Sequence, residues 1–158
     1  MIKVLPTLFV VLFDWFLSGV VHELGHAIIG KMAGLNVEYI QLIPPGLSFS
    51  GKTSKSWLAA LSIAGPLLPV FVGVTGVLAI ILLKEKYPFA IYTVWIFIPM
   101  MMHSLMLLCV PLVRTFGFKA SNNDVTKFIE LVEWPSMAVF AIGLLLIGFC
   151  VIILKWAL

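Results

Sequence analysis

Long apolar stretches separated by short polar connections dominate this chain. Four of them are long enough to cross about 30 Å of hydrocarbon as helices. They cover residues 4–33, 57–83, 88–113 and 134–155. The pattern predicts one all-α membrane domain over residues 1–158, built as a bundle of about four transmembrane helices.

The connection after the first span has a different pattern. Residues 36–43 are rich in β-branched and aromatic side chains, Pro44-Pro45-Gly46 is a turn sequence, and residues 47–50 can run back. This predicts a short membrane-associated β-hairpin over residues 36–50, with an irregular interfacial loop as the alternative. Because an open sheet edge cannot face lipid, the hairpin must be shielded by protein or lie at the water boundary.

Composition agrees with a membrane setting. The chain has 158 residues, of which 62% are hydrophobic and 11% charged, and its mean hydropathy is +1.16. A soluble domain of this length could not bury so much apolar surface, so lipid must be part of the solvent. The formal net charge of +3 is spread over short connections and does not indicate nucleic-acid binding.

The distribution of lysine and arginine residues bears on topology. More of them flank the first and third connections than the second connection and the two ends of the chain. The positive-inside rule then predicts both termini outside and the two longer connections in the cytoplasm. We expect a multi-pass protein of a prokaryotic plasma membrane, with its active site towards the cytoplasmic face.

The sequence His22-Glu23-Leu24-Gly25-His26 lies inside the first span. On a helix the two histidines share one face, so both can bind the same metal ion. Glu23 projects about 100° around the helix, where a general base for an activated water is expected. Ionisable side chains at bilayer depth are costly and indicate function, although a packed polar trio is the alternative.

Two histidines do not complete a catalytic zinc site, which usually takes three protein ligands and a water. Asp14 lies two helical turns before His22 and is too distant to share the ion. Asp124 follows the third span at a suitable membrane level, and its negative charge would partly neutralise the ion. We therefore predict one Zn²⁺ per chain, bound by His22, His26 and Asp124. The other candidates considered are His103, Glu130 and Glu133.

Three segments resemble the site-2 proteases, which are intramembrane zinc metalloproteases. The run 21–27, continued by Gly34-Leu35-Asn36-Val37, resembles their active-site helix. Ala64-Gly65-Pro66-Leu67 resembles the small-residue segment that opens their next core helix. Leu108-Cys109-Val110-Pro111 followed by Asn123-Asp124 resembles, more loosely, the helix whose aspartate completes the metal site. The hairpin also has a counterpart in that family.

The chain departs from the family pattern at three places. Pro69 and Leu108 stand where the family usually has asparagine, and Asp124-Val125 stands where it usually has Asp-Gly. Substrate positioning is therefore less well supported by the resemblance than metal binding.

These features predict hydrolysis of peptide bonds in transmembrane or membrane-associated protein substrates. Zinc lowers the pKa of a bound water to about 7, and Glu23 would take the proton. A polar neighbour would stabilise the oxyanion, and both His103 and Asn122 are candidates. A substrate helix hides its carbonyls and must unwind, and the strand carrying Val37, Tyr39 and Gln41 offers an edge to which it can add.

Other functions remain open at this stage. A metal-binding membrane scaffold without proteolytic activity, holding a partner helix, is the main alternative. A small metal transporter would require polar residues in several spans, and the second and fourth have almost none. The expected partners are the lipid bilayer, a transmembrane protein or peptide substrate and, as a further possibility, a regulatory membrane protein.

Overall fold

The computed structural model describes the backbone of residues 4–118 and 123–158, with side chains from residue 12 onward except at position 108. This part of the chain is mostly helical and contains one two-stranded sheet. The elements are α1 (Val4–Met32), β1 (Asn36–Leu42), β2 (Pro45–Ser50), α2 (Lys55–Leu83), a 3-10 helix (Pro88–Thr93), α3 (Val94–Met101), α4 (Ser104–Thr115), α5 (Asp124–Val132) and α6 (Ser136–Ala157).

Three helical segments of the described chain are long and apolar enough to cross a membrane. They are Lys55–Leu83, Pro88–Thr115 and Ser136–Ala157. They match the second, third and fourth predicted spans and indicate a multi-pass membrane protein. α1 has 29 residues, enough for a span, but its crossing of the bilayer, and with it the bundle of four, stays a prediction.

The third span is interrupted in its middle. α3 ends at Met101 and α4 begins at Ser104. Between them the His103 amide donates to the carbonyl of Met100 at 3.2 Å, three residues back instead of four. Such tightened turns interrupt the regular rotation of a helix and are frequent at functional positions. His103 is thus placed at a break and not within a regular helix.

Two apolar clusters hold the helices together. One joins α2, α3 and α6 and includes Val77 and Val94, which have no exposed surface. The other joins α4, α5 and α6 through Leu107, Ile129 and Val139. The second cluster matters for the site because it fixes α5 against the end of the third span.

The predicted β-hairpin is confirmed, with a shifted turn. β1 and β2 pair antiparallel, and Leu42 lies opposite Pro45. The turn therefore consists of Ile43 and Pro44, whereas Pro45 already belongs to β2 and not to the turn predicted from the sequence. Gly34, at φ +75°, follows the end of α1 and directs the chain into β1, in agreement with the expected helix stop.

The hairpin lies along α1 through its second strand. Pro45 packs against Gly19 and Phe49 against Gly30, so β2 follows α1 past the two histidines. β1 is the outer strand, and its Tyr39 is 58% exposed. The sheet is thus shielded by α1 on the β2 side, as the constraint on open edges requires.

Gly30 provides a direct test of this packing. A Cβ atom there would lie 2.5–3.0 Å from three ring atoms of Phe49, closer than carbon atoms tolerate. We expect Gly30→Ala to lower the free energy of unfolding by about 1–3 kcal/mol, a typical effect of overpacking. The measurement is thermal unfolding in detergent.

The matched control removes the ring. In a Phe49→Ala background the added methyl group has space, so Gly30→Ala should have little further effect. An equal loss of stability in both backgrounds would contradict the described contact between β2 and α1.

Candidate metal centre

α1 presents the two histidines on one face. They are four residues apart, and their Nε2 atoms lie 3.2 Å from each other. His26 is buried and His22 is partly buried. The helix therefore places two nitrogen ligands beside one point, as the spacing in the sequence predicts.

α5 delivers the carboxylate of Asp124 to the same point. The Asn123 side chain caps this helix by accepting a hydrogen bond from the Thr126 amide at 2.9 Å. Val125, with no exposed surface, packs α5 into the second apolar cluster. Two solvent-exposed ion pairs, Arg114–Glu130 and Lys55–Glu133, link α5 and the residue that caps it to the end of α4 and the start of α2. Asp124 is thus held by a short, well-packed helix.

Three ligand atoms converge. The Oδ2 atom of Asp124 lies 3.0 Å from Nε2 of His22 and 3.2 Å from Nε2 of His26. Zinc bonded at about 2.0–2.1 Å in a tetrahedron places its ligand atoms about 3.3 Å apart. The observed triangle is close to that size.

The chemistry of the donor atoms also fits a cation. His26 donates from Nδ1 to the carbonyl of Leu61 at 2.8 Å. In a neutral imidazole, Nε2 then carries a lone pair, and it faces the carboxylate of Asp124. Electron-rich atoms at this separation repel one another unless a cation or additional protons lie between them. The bond to Leu61 is the orienting contact that metal-binding histidines usually have.

Asp124 contributes a negative charge. Its burial alone would raise the pKa of the carboxyl group, but hydrogen bonds and attraction from His22 and His26, when these rings carry the additional protons, outweigh that effect and hold the pKa below its ordinary value. The group is therefore ionised at neutral pH, which is the form that binds a metal.

Gly65 of α2 leaves the space in which these atoms meet. A Cβ atom at this position would contact Nε2 of His26 and would lie 2.7 Å from Nε2 of His22. On the facing helix a Cβ atom at Gly25 would contact the Ala64 carbonyl. The two glycines thus let α1 and α2 approach closely at the histidines.

Glu23 lies beside the ligands, next to a cavity. Its carboxylate and the two histidine nitrogens all lie within 4.8 Å of one another. A cavity of about 230 Å³, here called the Glu23 cavity, is lined by His22, Glu23 and His103 together with Pro44 of the hairpin turn and Pro45 at the start of β2. A second one of about 480 Å³, the Asp124 cavity, is lined by His26, Asp124 and residues of β2, α2 and α5. The three donor atoms therefore lie between two cavities.

The residues predicted to bind substrate are distributed unevenly. His103 lines the Glu23 cavity, whereas Val37, Tyr39 and Gln41 line neither of the two cavities. The hairpin contributes its turn and β2 instead. Asn122 lies outside the described residues. A role for these residues in substrate binding stays a prediction.

Sequence reasoning missed three parts of the site. The sequence gives no indication that the Leu61 carbonyl is the partner of His26, because every residue has a backbone carbonyl. Gly65 was noted only as part of a resemblance, and its contact with the histidines requires knowledge of how α1 and α2 pack. α5 was not predicted, although a capping Asn123 followed by apolar residues at 125, 128, 129 and 132 is an amphipathic helix pattern.

Comparison with known proteins identifies the class. A family model described as Peptidase M50B-like matches residues 2–116, well over half of the chain. The chain therefore belongs to this family of metallopeptidase-like membrane proteins, and the resemblance to site-2 proteases is confirmed. The family implies zinc as the metal. The match ends before Asp124.

One curated relative is the zinc metalloprotease MJ0392 of Methanocaldococcus jannaschii. It is 39% identical over 60 residues, which cover 37% of this chain and 18% of that protein. The chain thus corresponds to less than a fifth of this relative. No solved structure matches the chain.

Gly65→Ala tests the space at the three donor atoms. The added methyl group must displace at least one imidazole, so zinc affinity should fall by about 10–100-fold, the range found when the support of a metal ligand is disturbed. Competition with a chelating dye measures the affinity. Gly148→Ala in α6 is the control, because a Cβ atom there meets nothing within 4 Å. Unchanged affinity for Gly65→Ala would contradict the site geometry.

Asp124→Asn tests the third ligand. The substitution keeps the shape but removes the charge, and zinc affinity should fall about 100-fold or more, beyond what indirect support contributes. Metal analysis after dialysis gives the occupancy. Glu85→Gln makes a similar charge change in the exposed connection after α2 and should retain zinc. Full occupancy in Asp124→Asn would place the third ligand elsewhere.

Proposed function

We propose that this protein is an intramembrane zinc metalloprotease that hydrolyses peptide bonds of transmembrane or membrane-associated protein substrates. His22, His26 and Asp124 would hold a single Zn²⁺ per chain, and Glu23 would act as the general base.

One observation carries the proposal. Three atoms that can bind a metal, from α1 and α5, lie 3.0–3.2 Å from one another. The carboxylate of Glu23, for which the described structure gives no hydrogen bond or ion pair, lies beside the two histidines. A site that only bound metal would not need Glu23. Family membership supports the same chemistry.

Zinc, when bound, would supply a Lewis acid that makes water a nucleophile at neutral pH and polarises a carbonyl group. Glu23 stands beside the histidine ligands and faces the Glu23 cavity, where a carbonyl carbon can approach. Its carboxylate would accept the proton of the attacking water and return it to the leaving amine. His26 is kept in place by Leu61 and Asp124 by the packing of α5, so the residues are positioned before substrate arrives.

The substrate must reach this cavity as an extended chain. A transmembrane helix satisfies its own backbone groups, so its carbonyls become available only after local unwinding. The hairpin turn forms part of the cavity wall, and a two-stranded sheet next to the site can pair with an unwound segment. Substrates with helix-weakening residues near the cleaved bond would be favoured.

Water would enter from the other side of the ligands. The Asp124 cavity has Lys127 and Glu130 among its lining residues, so it has a polar rim. These residues belong to α5, which lies within the third connection, and the distribution of basic residues assigns that connection to the cytoplasm. Both termini would then lie outside.

Glu23→Gln tests the proposal. We expect the variant to retain zinc, because Glu23 is not among the three proposed ligands, and to lose cleavage of a Leu-rich transmembrane peptide with a central Gly-Ser pair. Zinc content and cleavage are measured on the full chain in nanodiscs. Wild type and Glu85→Gln should both bind zinc and cut. Equal cutting by Glu23→Gln would exclude this residue as the base, and zinc-loaded wild type without cutting would contradict the proteolytic function.

A further inference from the structure

A second histidine pair lines the Glu23 cavity. The rings of His22 and His103 are neighbours, with centroids 5.5 Å apart. The break between α3 and α4 places His103 there, at mid-span and at the depth of the proposed base. An imidazole at such depth is unfavourable unless it has partners or a function.

The Nδ1 atom of His103 is held by Ser18. The hydroxyl oxygen of Ser18 lies 3.0 Å from Nδ1 of His103, and Ser18 is 2% exposed. Among the described residues, Nδ1 of His103 is the hydrogen-bond partner of this hydroxyl group. A buried hydroxyl hydrogen needs an acceptor, and we infer that Ser18 donates to Nδ1 in preference to Nδ1 donating to the Pro99 carbonyl. The proton of a neutral His103 then resides on Nε2.

An N–H donor on His103 would form part of the wall of the Glu23 cavity, where the proposed reaction would take place. Glu23 and His103 both line this cavity, and its other lining residues with polar side-chain atoms are Trp15, Ser18 and His22. Charge develops on the carbonyl oxygen during attack, and a fixed donor aimed at it stabilises the transition state more than the ground state.

We propose that His103 is a further catalytic residue whose Nε2–H donates a hydrogen bond to the developing oxyanion, and that Ser18 is a positioning residue that fixes the required tautomer. The inference rests on the proposed function.

Kinetics form the first test. His103→Ala should lower kcat about 10²–10³-fold with KM and zinc content unchanged, the usual loss for one oxyanion donor. His103→Gln, which keeps an N–H donor, should recover part of the loss. Met102→Leu, at the exposed neighbouring position of the same break, is the control and should match wild type. Wild-type kcat in His103→Ala, or a parallel loss of zinc, overturns the assignment.

Ser18 separates positioning from packing. Ser18→Ala should produce a smaller loss of kcat than His103→Ala, and Ser18→Thr, which keeps the hydroxyl group, should restore activity. In the His103→Ala background Ser18→Ala should have no further effect, because its role acts through the imidazole. A full additional loss in that background overturns the positioning role.

Two further readouts do not depend on cleavage. The first is the affinity of the zinc-loaded protein for the same transmembrane peptide with the central peptide bond replaced by a phosphinate, a tetrahedral anion. His103→Ala should weaken binding of the phosphinate peptide at least about tenfold. In the Glu23→Gln background, by contrast, adding His103→Ala should leave binding of the parent peptide unchanged. The proposal is overturned if wild type and His103→Ala bind the phosphinate peptide with equal affinity, or if neither binds it. Either result counts even if the protein cuts its substrate.

The second readout is the ¹⁵N spectrum of the metal-free protein. In wild type the spectrum should show His103 protonated at Nε2. In Ser18→Ala it should show a mixture of rings protonated at Nε2 and at Nδ1. A ring protonated at Nδ1, which the neighbouring Pro99 carbonyl would favour, overturns the donor role. If wild type binds the phosphinate through His103 but cuts nothing, the proteolytic function fails and the assignment of His103 stands.

Discussion

The meeting of three electron-rich atoms in an apolar surrounding is the constraint on which the rest of the structure depends. Nε2 of His22, Nε2 of His26 and Oδ2 of Asp124 lie 3.0–3.2 Å apart, and a neutral His26 cannot donate from Nε2 because its Nδ1 donates to the Leu61 carbonyl. Without a cation or extra protons between them such a cluster is unfavourable, and the cost is greatest where water is excluded. A zinc ion bound by the three atoms, as proposed, would resolve the conflict.

The fold can be understood as the means of holding that cluster. α1 and α2 approach at Gly25 and Gly65, which leaves room for the imidazoles. α5 brings the carboxylate because its apolar face is buried between α4 and α6 while ion pairs hold its polar face. β2 follows α1 past the histidines, and the break before α4 turns His103 towards the same cavity. Helices, hairpin and break thus converge on one point.

Much of this arrangement was predictable from local patterns. Apolar length located three spans within a few residues, the composition of residues 36–50 gave the hairpin, and i, i+4 spacing gave the shared face of His22 and His26. Contacts between distant segments were not accessible in that way. Which strand of the hairpin faces α1, and how close Gly65 comes to the imidazoles, depend on three-dimensional packing that no local pattern encodes. α5 was missed because it has only nine residues and lies between two longer apolar segments, whose patterns are much stronger.

The central claim is that two imidazoles and one carboxylate bind zinc, and X-ray absorption at the zinc edge tests it most directly. Zinc-loaded protein should show about two imidazole nitrogens near 2.0–2.1 Å together with oxygen donors at about 2.0–2.2 Å. A sulfur shell near 2.3 Å, which would implicate Cys109 or Cys150, or an oxygen shell without imidazole, would contradict the account.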